Sequence, residues 1–248
     1  MKKVRNVLIA IEASLLLLLI FCFVGKMSED NSSYLAVDSV SMQTCENLQA
    51  TESTQTEQAG ESDNIKKVAL TFDDGPNGDY TEELLEGLAT RKVKATFFLI
   101  GKKAEQQPQV VKDIWEGGHL IGNHTYDHVN LCNMSESRAC EQIEKTNQVI
   151  MDITGECPLY LRPPFGRYKK KIDEKTNMIE IRWDVDPRDW SDKNTGDIVN
   201  RVVTKVKEND MILLHDTYAT SIVAALQIID ILQAEGYEFV TVDELILD

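Results

Sequence analysis

From Val68 onward, short runs of hydrophobic residues alternate with longer amphipathic stretches. The short runs are rich in β-branched and aromatic residues and are bounded by Gly, Pro, Asp or Asn, which predicts strands. We predict strands at residues 68–72, 95–100, 179–185, 211–214 and 239–242, and a shorter one at 159–161.

The longer stretches show the spacing of helices that bury one face. Ser135 is positioned to cap one helix, and Gly236 ends another. One face of the first helix is formed by Ala139, Ile143, Thr146, Ile150 and Ile153, and the period of the second is marked by Ile222, Leu226, Ile229 and Gln233. We predict three further helices at residues 81–89, 108–116 and 195–206.

The alternation of strands and helices predicts an α/β fold with a mostly parallel sheet. The sheet is either closed as a barrel or doubly wound. In both architectures the chemistry lies at the carboxyl ends of the strands. The polar residues that follow each predicted strand are therefore the candidates for a functional site.

The amino terminus has a different pattern. Residues 7–24 are apolar except for Glu12 and Ser14, and three basic residues precede them. This predicts a single transmembrane helix with its amino end in the cytoplasm. A cleaved signal peptide is the alternative. We favour an uncleaved anchor, because no pair of small residues closely follows the apolar run.

The segment between this helix and the first strand is polar and acidic. Residues 27–64 contain eight acidic residues and no Lys or Arg, with many Ser, Thr and Gln. Such a composition predicts a disordered linker. We therefore divide the chain into a stub and membrane anchor at 1–26, a linker at 27–64 and a folded domain at 65–248. This arrangement predicts a cell-membrane protein with an extracellular domain.

Composition excludes one class of partner and limits disulfide formation. The formal net charge of −15 excludes the basic footprint of a nucleic-acid-binding protein. The folded region contains three cysteines, so at most one disulfide can form within it, and the pairing among Cys132, Cys140 and Cys157 stays open. We expect a monomer.

Two adjacent carboxylates, Asp73 and Asp74, end the first predicted strand before a Gly-Pro turn. Adjacent strand residues point to opposite faces, but a turn at this point can direct both side chains toward one mouth of the sheet. Asp, Gly and Pro are also ordinary turn residues, so a simple turn is the alternative.

His124 and His128 are four residues apart. On a helical turn this spacing places both rings on one face, about 5–6 Å apart, where they can share a metal ion. His119 precedes the pair, and we interpret it as structural.

Three later segments add polar residues after strands. Arg162 precedes two prolines that stiffen its loop, Asp189 and Trp190 follow the strand at 179–185, and His215 follows the strand at 211–214. One carboxylate and two imidazoles leave a coordination position open for water, as in catalytic zinc sites. A second carboxylate and a further histidine can serve as base and acid, which predicts a hydrolase.

Five segments together resemble the ordered motifs of the polysaccharide deacetylases, carbohydrate esterase family 4. They are residues 71–76, 124–128, 162–166, 186–190 and 213–215, and the resemblance covers residues 65–248. It implies a deformed β/α barrel and an enzyme that removes an acetyl group from a sugar, usually from N-acetylglucosamine.

The resemblance also implies residue roles. Asp74, His124 and His128 bind a divalent metal, Asp73 is the general base, and Arg162 orients it. The metal is zinc by default, with cobalt, nickel, manganese or iron as alternatives.

The remaining implied roles concern the leaving group and the acetate. His215 protonates the departing amine, and Asp189 hydrogen-bonds His215. Trp190 and Leu213 line the acetate pocket, and the backbone N–H of Phe165 stabilises the oxyanion.

The predicted location outside a membrane indicates cell-wall peptidoglycan as the glycan substrate. The alternatives are chitooligosaccharide, poly-N-acetylglucosamine or acetylxylan. A catalytically silent glycan-binding domain of the same fold is the alternative from another class of protein.

Overall fold

The computed structural model describes residues 66–247. Within this range there are seven strands: β1 Lys66–Gly75, β2 Thr96–Leu99, β3 Leu120–Asn123, β4 Tyr160–Leu161, β5 Ile179–Glu180, β6 Met211–His215 and β7 Tyr237–Val240. They form one parallel sheet in the order β5-β4-β3-β2-β1-β6, and β7 pairs with the first half of β1.

Helices connect the strands and cover the outside of the sheet. They are α1 Asp79–Arg91, α2 Gly101–Gln106, α3 Pro108–Glu116, α4 Glu136–Thr154, α5 Asp173–Thr176, α6 Thr195–Val203, α7 Ala219–Ala234 and α8 Val242–Leu247. Short 3₁₀ turns occur at Leu131–Asn133, Pro164–Gly166 and Lys170–Ile172.

The sheet curls until its two edges meet. Val185, which follows β5, forms an isolated parallel bridge with Ile212 of β6. The amide of Leu213 donates to the carbonyl of Val185 at 2.9 Å. A single bridge, and not a full pair of strands, joins the segment after β5 to β6. The architecture is therefore a curled half-barrel. The predicted deformed β/α barrel with parallel strands is confirmed in this form.

Alternation along β1 separates the hydrophobic core from the site. Val68, Leu70 and Phe72 belong to the main hydrophobic cluster, which the covering helices complete. Thr71 and Asp73 face the other way, and both accept a hydrogen bond from the buried Arg162. One strand thus supplies both the core and the first polar residues of the site.

Most predicted elements are confirmed, with small changes at their ends. Ser135 caps α4 by accepting a hydrogen bond from the amide of Arg138. Two predicted strands are wrong in part. The strand at 179–185 is regular only over Ile179–Glu180, and the strand at 239–242 ends at Val240, because Val242 begins α8.

The prediction about the amino terminus is not tested by the described residues, whereas the question of disulfide pairing is answered within them. The predicted membrane anchor and linker lie outside the described residues. Among the helices of residues 66–247, none has both the length and the apolar character needed to cross a membrane. Within the same range Cys132, Cys140 and Cys157 are free thiols, so none of them pairs with another.

Candidate active site

The sequence-predicted site residues gather in one cleft at the carboxyl ends of the strands. The cleft has a volume of about 440 Å³. Its lining residues come from five separate segments: Asp73, Asp74, His124, His128, Pro163, Phe165, Trp183, Asp186, Trp190, Leu213, His215 and Tyr218. This is the edge at which parallel α/β sheets place their functional residues.

Asp73 and Asp74 both reach the cleft because β1 is irregular at its end. The register with β2 shifts between Asp73 and Gly75, and Asp74 has a left-handed φ of 71°. Without this distortion, strand alternation would send the two carboxylates to opposite faces. The predicted convergence of the two side chains is therefore present, and a bulge produces it.

His124 and His128 lie on the loop after β3. The prediction that a helical turn brings them together is wrong, because Thr125 and His128 have φ values of 63° and 53°, outside the right-handed helical region. The two ring centroids are nevertheless 5.0 Å apart. The side chain of Asn123 fixes the loop by accepting a hydrogen bond from the Thr125 amide at 2.8 Å.

These residues form a ligand set that fits a metal ion. Asp74 Oδ1 lies 3.4 Å from His124 Nε2 and 3.2 Å from His128 Nε2. This oxygen is buried and has no hydrogen-bond partner among the described residues. The ring of His124 is oriented at its other nitrogen, where Nδ1 lies 2.6 Å from the carbonyl oxygen of Arg162 and can donate to it. Its Nε2 lone pair is then free to bind a cation.

The electrostatics of Asp74 and His128 favour the protonation states that metal ligands need. Burial alone raises the pKa of Asp74, but the imidazoles of His124 and His128 outweigh it and hold that pKa well below its usual range. Burial lowers the pKa of His128 despite the opposing charge of Asp74. An ionised carboxylate and a neutral imidazole are the forms that coordinate metals.

Arg162 is wholly buried and holds Asp73 in place. Its Nη1 donates to Asp73 Oδ1 at 2.9 Å and to Thr71 Oγ1 at 2.6 Å, and Nη2 donates to the carbonyl of Arg182 at 2.8 Å. The guanidinium also lies 4.2 Å from the ring centre of Phe98. Arg162 binds Oδ1, and the other carboxylate oxygen, Asp73 Oδ2, lies 3.8 Å from Nε2 of His124, one of the candidate metal ligands.

We expect Arg162→Met to lower the free energy of unfolding by about 3–5 kcal/mol, because it leaves the Asp73 carboxylate buried without its cation. Urea denaturation of the variant and the parent protein measures the difference. The double variant Asp73→Asn/Arg162→Met removes both charges and should recover part of the loss. A single-variant loss below about 1 kcal/mol would contradict this account of the pair.

His215 and Asp189 form a second pair, in which His215 lies at the end of β6 opposite Asp73 of β1 and Asp189 is buried. His215 Nδ1 lies 2.9 Å from Asp189 Oδ1, and the His215 amide donates to Asp189 Oδ2 at 2.8 Å. Burial lowers the pKa of His215, but the hydrogen bond and charge of Asp189, with Asp73 and Asp74, raise it overall to about 9. A pKa this far above neutral favours the protonated imidazole at pH 7, and Asp189 leaves the Nε2 of His215 without a partner among the described residues.

Comparison with known proteins agrees with this geometry. A model of the polysaccharide deacetylase family matches residues 60–183. The chain belongs to the polysaccharide deacetylase family.

Relatives within the family have peptidoglycan in their names. The peptidoglycan-N-acetylglucosamine deacetylase PgdA of Listeria monocytogenes is 38% identical over 180 residues, or 73% of this chain. The peptidoglycan-N-acetylmuramic acid deacetylase PdaC of Bacillus subtilis is 40% identical over 182 residues, also 73% of this chain. This chain spans 39% of the length of each relative.

Solved structures match the fold closely. The structure of PdaC has a TM-score of 0.72 at 40% identity, covering 73% of this chain and 90% of that chain. BA3943 of Bacillus anthracis, described as a CE4 family pseudoenzyme, has a TM-score of 0.69 at 31% identity, covering 73% and 66%. Structures of this family thus include both a deacetylase and a pseudoenzyme.

The residues predicted to line the acetate pocket, Trp190 and Leu213, and the residue predicted to bind the oxyanion, Phe165, lie in the cleft of this family member. The aromatic side chains of Phe165 and Trp190 are 63% and 55% exposed, whereas Leu213 is buried. Phe165 has a φ of 61°, and its ring centroid lies 4.9 Å from that of His128. The roles assigned to these three residues stay predictions.

Trp183 and Tyr218 also line the cleft, although the sequence pattern did not predict them as site residues. Trp183 packs against the loop that follows Arg162, since a Cβ added at Gly166 of that loop would lie 3.2 Å from the Trp183 ring. Tyr218 is 42% exposed. Trp183 follows β5 and Tyr218 follows β6. An aromatic residue shortly after a predicted strand was the sequence signal that could have identified both as cleft residues.

Asp216 is a third residue that the sequence pattern did not predict near the site. It is wholly buried behind the Asp73-Asp74 turn. Thr81 Oγ1 donates to its Oδ2 at 2.6 Å. A Cβ at Gly75 would lie 2.5 Å from the same oxygen, so only glycine allows this close approach. Burial raises the pKa of Asp216 to about 6. The residue packs directly against the turn that presents Asp74.

Proposed function

We propose that this protein is a metal-dependent deacetylase that removes N-acetyl groups from N-acetylglucosamine residues of cell-wall peptidoglycan. The observation that supports it most is the convergence of three sets in one cleft: the Asp74, His124 and His128 ligands, the Arg162-Asp73 pair and the Asp189-His215 pair. A domain that only bound glycans would not need the second and third sets beside the first.

Asp74, His124 and His128 would hold the metal, which we propose is zinc. When bound, such a cation supplies Lewis-acid polarisation of the acetyl carbonyl and lowers the pKa of water. Asp73 Oδ2 accepts the proton of the attacking water, because Arg162 already occupies Oδ1. His215 Nε2 gives a proton to the departing amine nitrogen, and Asp189 maintains the charged imidazole that does so.

The walls of the cleft would bind the sugar and the acetyl group. Trp190 and Leu213 surround the acetyl methyl, and the backbone N–H of Phe165 donates to the developing oxyanion. Exposed aromatic faces at Phe165, Trp190 and Tyr218 offer apolar surfaces on which sugar rings can pack.

Peptidoglycan is the proposed substrate because the named relatives PgdA and PdaC are peptidoglycan deacetylases. The predicted anchor at residues 7–24 and the acidic linker support an extracellular position close to the wall. PdaC is named for N-acetylmuramic acid, so that sugar is the second candidate.

The two sugars can be distinguished on one substrate. Purified peptidoglycan is incubated with the full chain, digested to disaccharides and sequenced by tandem mass spectrometry. We expect the free amine on the glucosamine residue. A free amine on the muramic residue alone would favour the second candidate.

We expect Asp189→Asn to move the basic limb of the pH profile to lower pH by about one unit or more. Activity requires His215 protonated and is lost as pH rises through its pKa. Removing the Asp189 charge lowers that pKa, so the loss begins at lower pH. The profile of kcat against pH measures the shift. Asp230→Asn is the control, since Asp230 pairs with the distant Arg91. An unmoved basic limb would refute the pairing.

A further inference from the structure

A second cavity adjoins the active-site cleft. This side pocket has a volume of about 650 Å³ and is lined by Asp186, Arg188, Ser191, Asp192, Arg201 and Lys205. Asp186 lines both the side pocket and the cleft. The two cavities therefore lie next to each other, on either side of Asp186.

The side pocket presents two cations without partners. The side chains of Arg188 and Lys205 are exposed and form no hydrogen bond or ion pair with any residue in 66–247. Arg201 differs, because Asp192 and the carbonyl of Pro187 hold its guanidinium. In a chain with a net charge of −15, two unpaired cations beside the cleft favour an anionic ligand.

The acidic residues of the side pocket are already engaged. Asp192 pairs with Arg201 and accepts a hydrogen bond from the Asn194 amide at 2.9 Å. Asp186 Oδ1 accepts from the Arg188 amide at 2.7 Å. Their charges reduce the positive potential, but neither carboxylate pairs with the Arg188 or Lys205 side chain.

The backbone fixes the position from which Arg188 extends. Arg188 has a φ of 57°, and its carbonyl accepts hydrogen bonds from the amides of Ser191 and Asp192, both at 3.1 Å. The Ser191 hydroxyl donates to the same oxygen at 3.1 Å. An arginine with a fixed base loses less freedom on binding a ligand.

We propose that the side pocket binds a carboxylate on the glycan strand, on a sugar next to the one that is deacetylated. This proposal rests on the proposed function and makes it more specific. Arg and Lys side chains form strong charge-assisted hydrogen bonds to carboxylates. In peptidoglycan the alternate sugars carry a lactyl group, either free or extended by a peptide, so each repeat offers such a carboxylate. Neutral chitooligosaccharides offer none.

The test compares the double variant Arg188→Ala/Lys205→Ala with the parent full chain. The control is Lys207→Ala, which removes an exposed lysine that does not line the side pocket. Three tetrasaccharides are compared at low ionic strength: an N-acetylglucosamine tetramer, a peptidoglycan tetrasaccharide with free lactyl groups, and the same tetrasaccharide with its peptides. Acetate release gives kcat/KM, and calorimetry gives the affinity whether or not acetate is released.

We expect the double variant to lose about tenfold in kcat/KM and in affinity on the carboxylated glycans, with less than about twofold change on the neutral tetramer. Added salt should reduce this difference. A loss confined to the peptide-bearing glycan would assign the carboxylate to the peptide, and a loss confined to the glycan with free lactyl groups would assign it to the lactyl group. A loss on both would show that the side pocket accepts either carboxylate, because a lactyl group joined to a peptide is an uncharged amide.

Equal losses on all three glycans, no loss on any, or equal affinity of the parent chain for neutral and carboxylated tetramers would overturn the proposal. Absence of acetate release by the parent chain would instead contradict the proposed function, and calorimetry would still decide the role of the side pocket.

Discussion

Replacement of His124 by alanine is expected to abolish metal retention and activity together. His124 is buried, and its Nε2 lies 3.4 Å from Asp74 Oδ1, so the variant loses one of the three proposed ligands. If the proposed cation is lost, we expect several kcal/mol of transition-state stabilisation to be lost with it, which corresponds to at least about a thousandfold in kcat/KM. Metal content after dialysis and acetate release measure the two effects.

His119→Ala is the matched control for this variant. His119 lies outside the cleft, where its Nδ1 accepts a hydrogen bond from the Ala95 amide at 3.2 Å and its ring packs against Phe97. This position agrees with the structural role predicted for it. The control should retain metal stoichiometry. A His124→Ala protein that kept one equivalent of metal would show that the ion binds elsewhere.

Replacement of Asp73 by asparagine is expected to separate metal binding from catalysis. The variant keeps all three proposed ligands and the hydrogen bond that Arg162 donates to Oδ1, but it cannot accept a proton at the second position. Loss of a general base costs about a hundredfold to ten-thousandfold in kcat. The metal content should equal that of the parent protein.

Asp186→Asn serves as the control for Asp73→Asn, because Asp186 lines the same cleft without a proposed role in catalysis. Its activity on the neutral tetramer should stay within a few-fold of the parent protein. Full turnover by Asp73→Asn would show that another group accepts the proton.

Helices and strands with a regular repeat of hydrophobic residues were predictable from the sequence, because the repeat itself shows which face of the element is buried. Residues 108–116 repeat hydrophobic positions at helical spacing, and the helix Pro108–Glu116 has these bounds. The strand Leu120–Asn123 was not delimited, since it is four residues long and includes Gly and Asn. Its pairing with β2 stabilises it, and that contact is not visible in a local pattern.

Two errors have specific local causes. The spacing of His124 and His128 suits a helix, but the left-handed residues Thr125 and His128 form a loop that brings the rings equally close. At the carboxyl end, the amide and hydroxyl of Thr241 both donate to Glu244 Oε2 at 2.9 Å. This capping box, readable as Thr-x-x-Glu, was the signal for the helix Val242–Leu247 that the sequence prediction extended as strand.

Site residues that belong to the family motifs were predictable from the sequence. Residues that reach the site only through tertiary packing were not. All ten predicted site residues lie in or directly behind the cleft, although their roles stay predictions. Asp216 follows His215 without any distinguishing pattern, and its contact with the Asp73-Asp74 turn depends on the absence of a side chain at Gly75. Such a contact arises only when β1 and β6 pair in this register.

Acetate release by the full chain after chelation, with and without added Zn²⁺, tests the central claim most directly. N-acetylglucosamine oligomers and purified peptidoglycan are assayed in parallel. The account predicts release that depends on the metal and is faster from peptidoglycan. Equal release from chelated and metal-restored protein, or no release from either substrate by protein with metal bound, would contradict it.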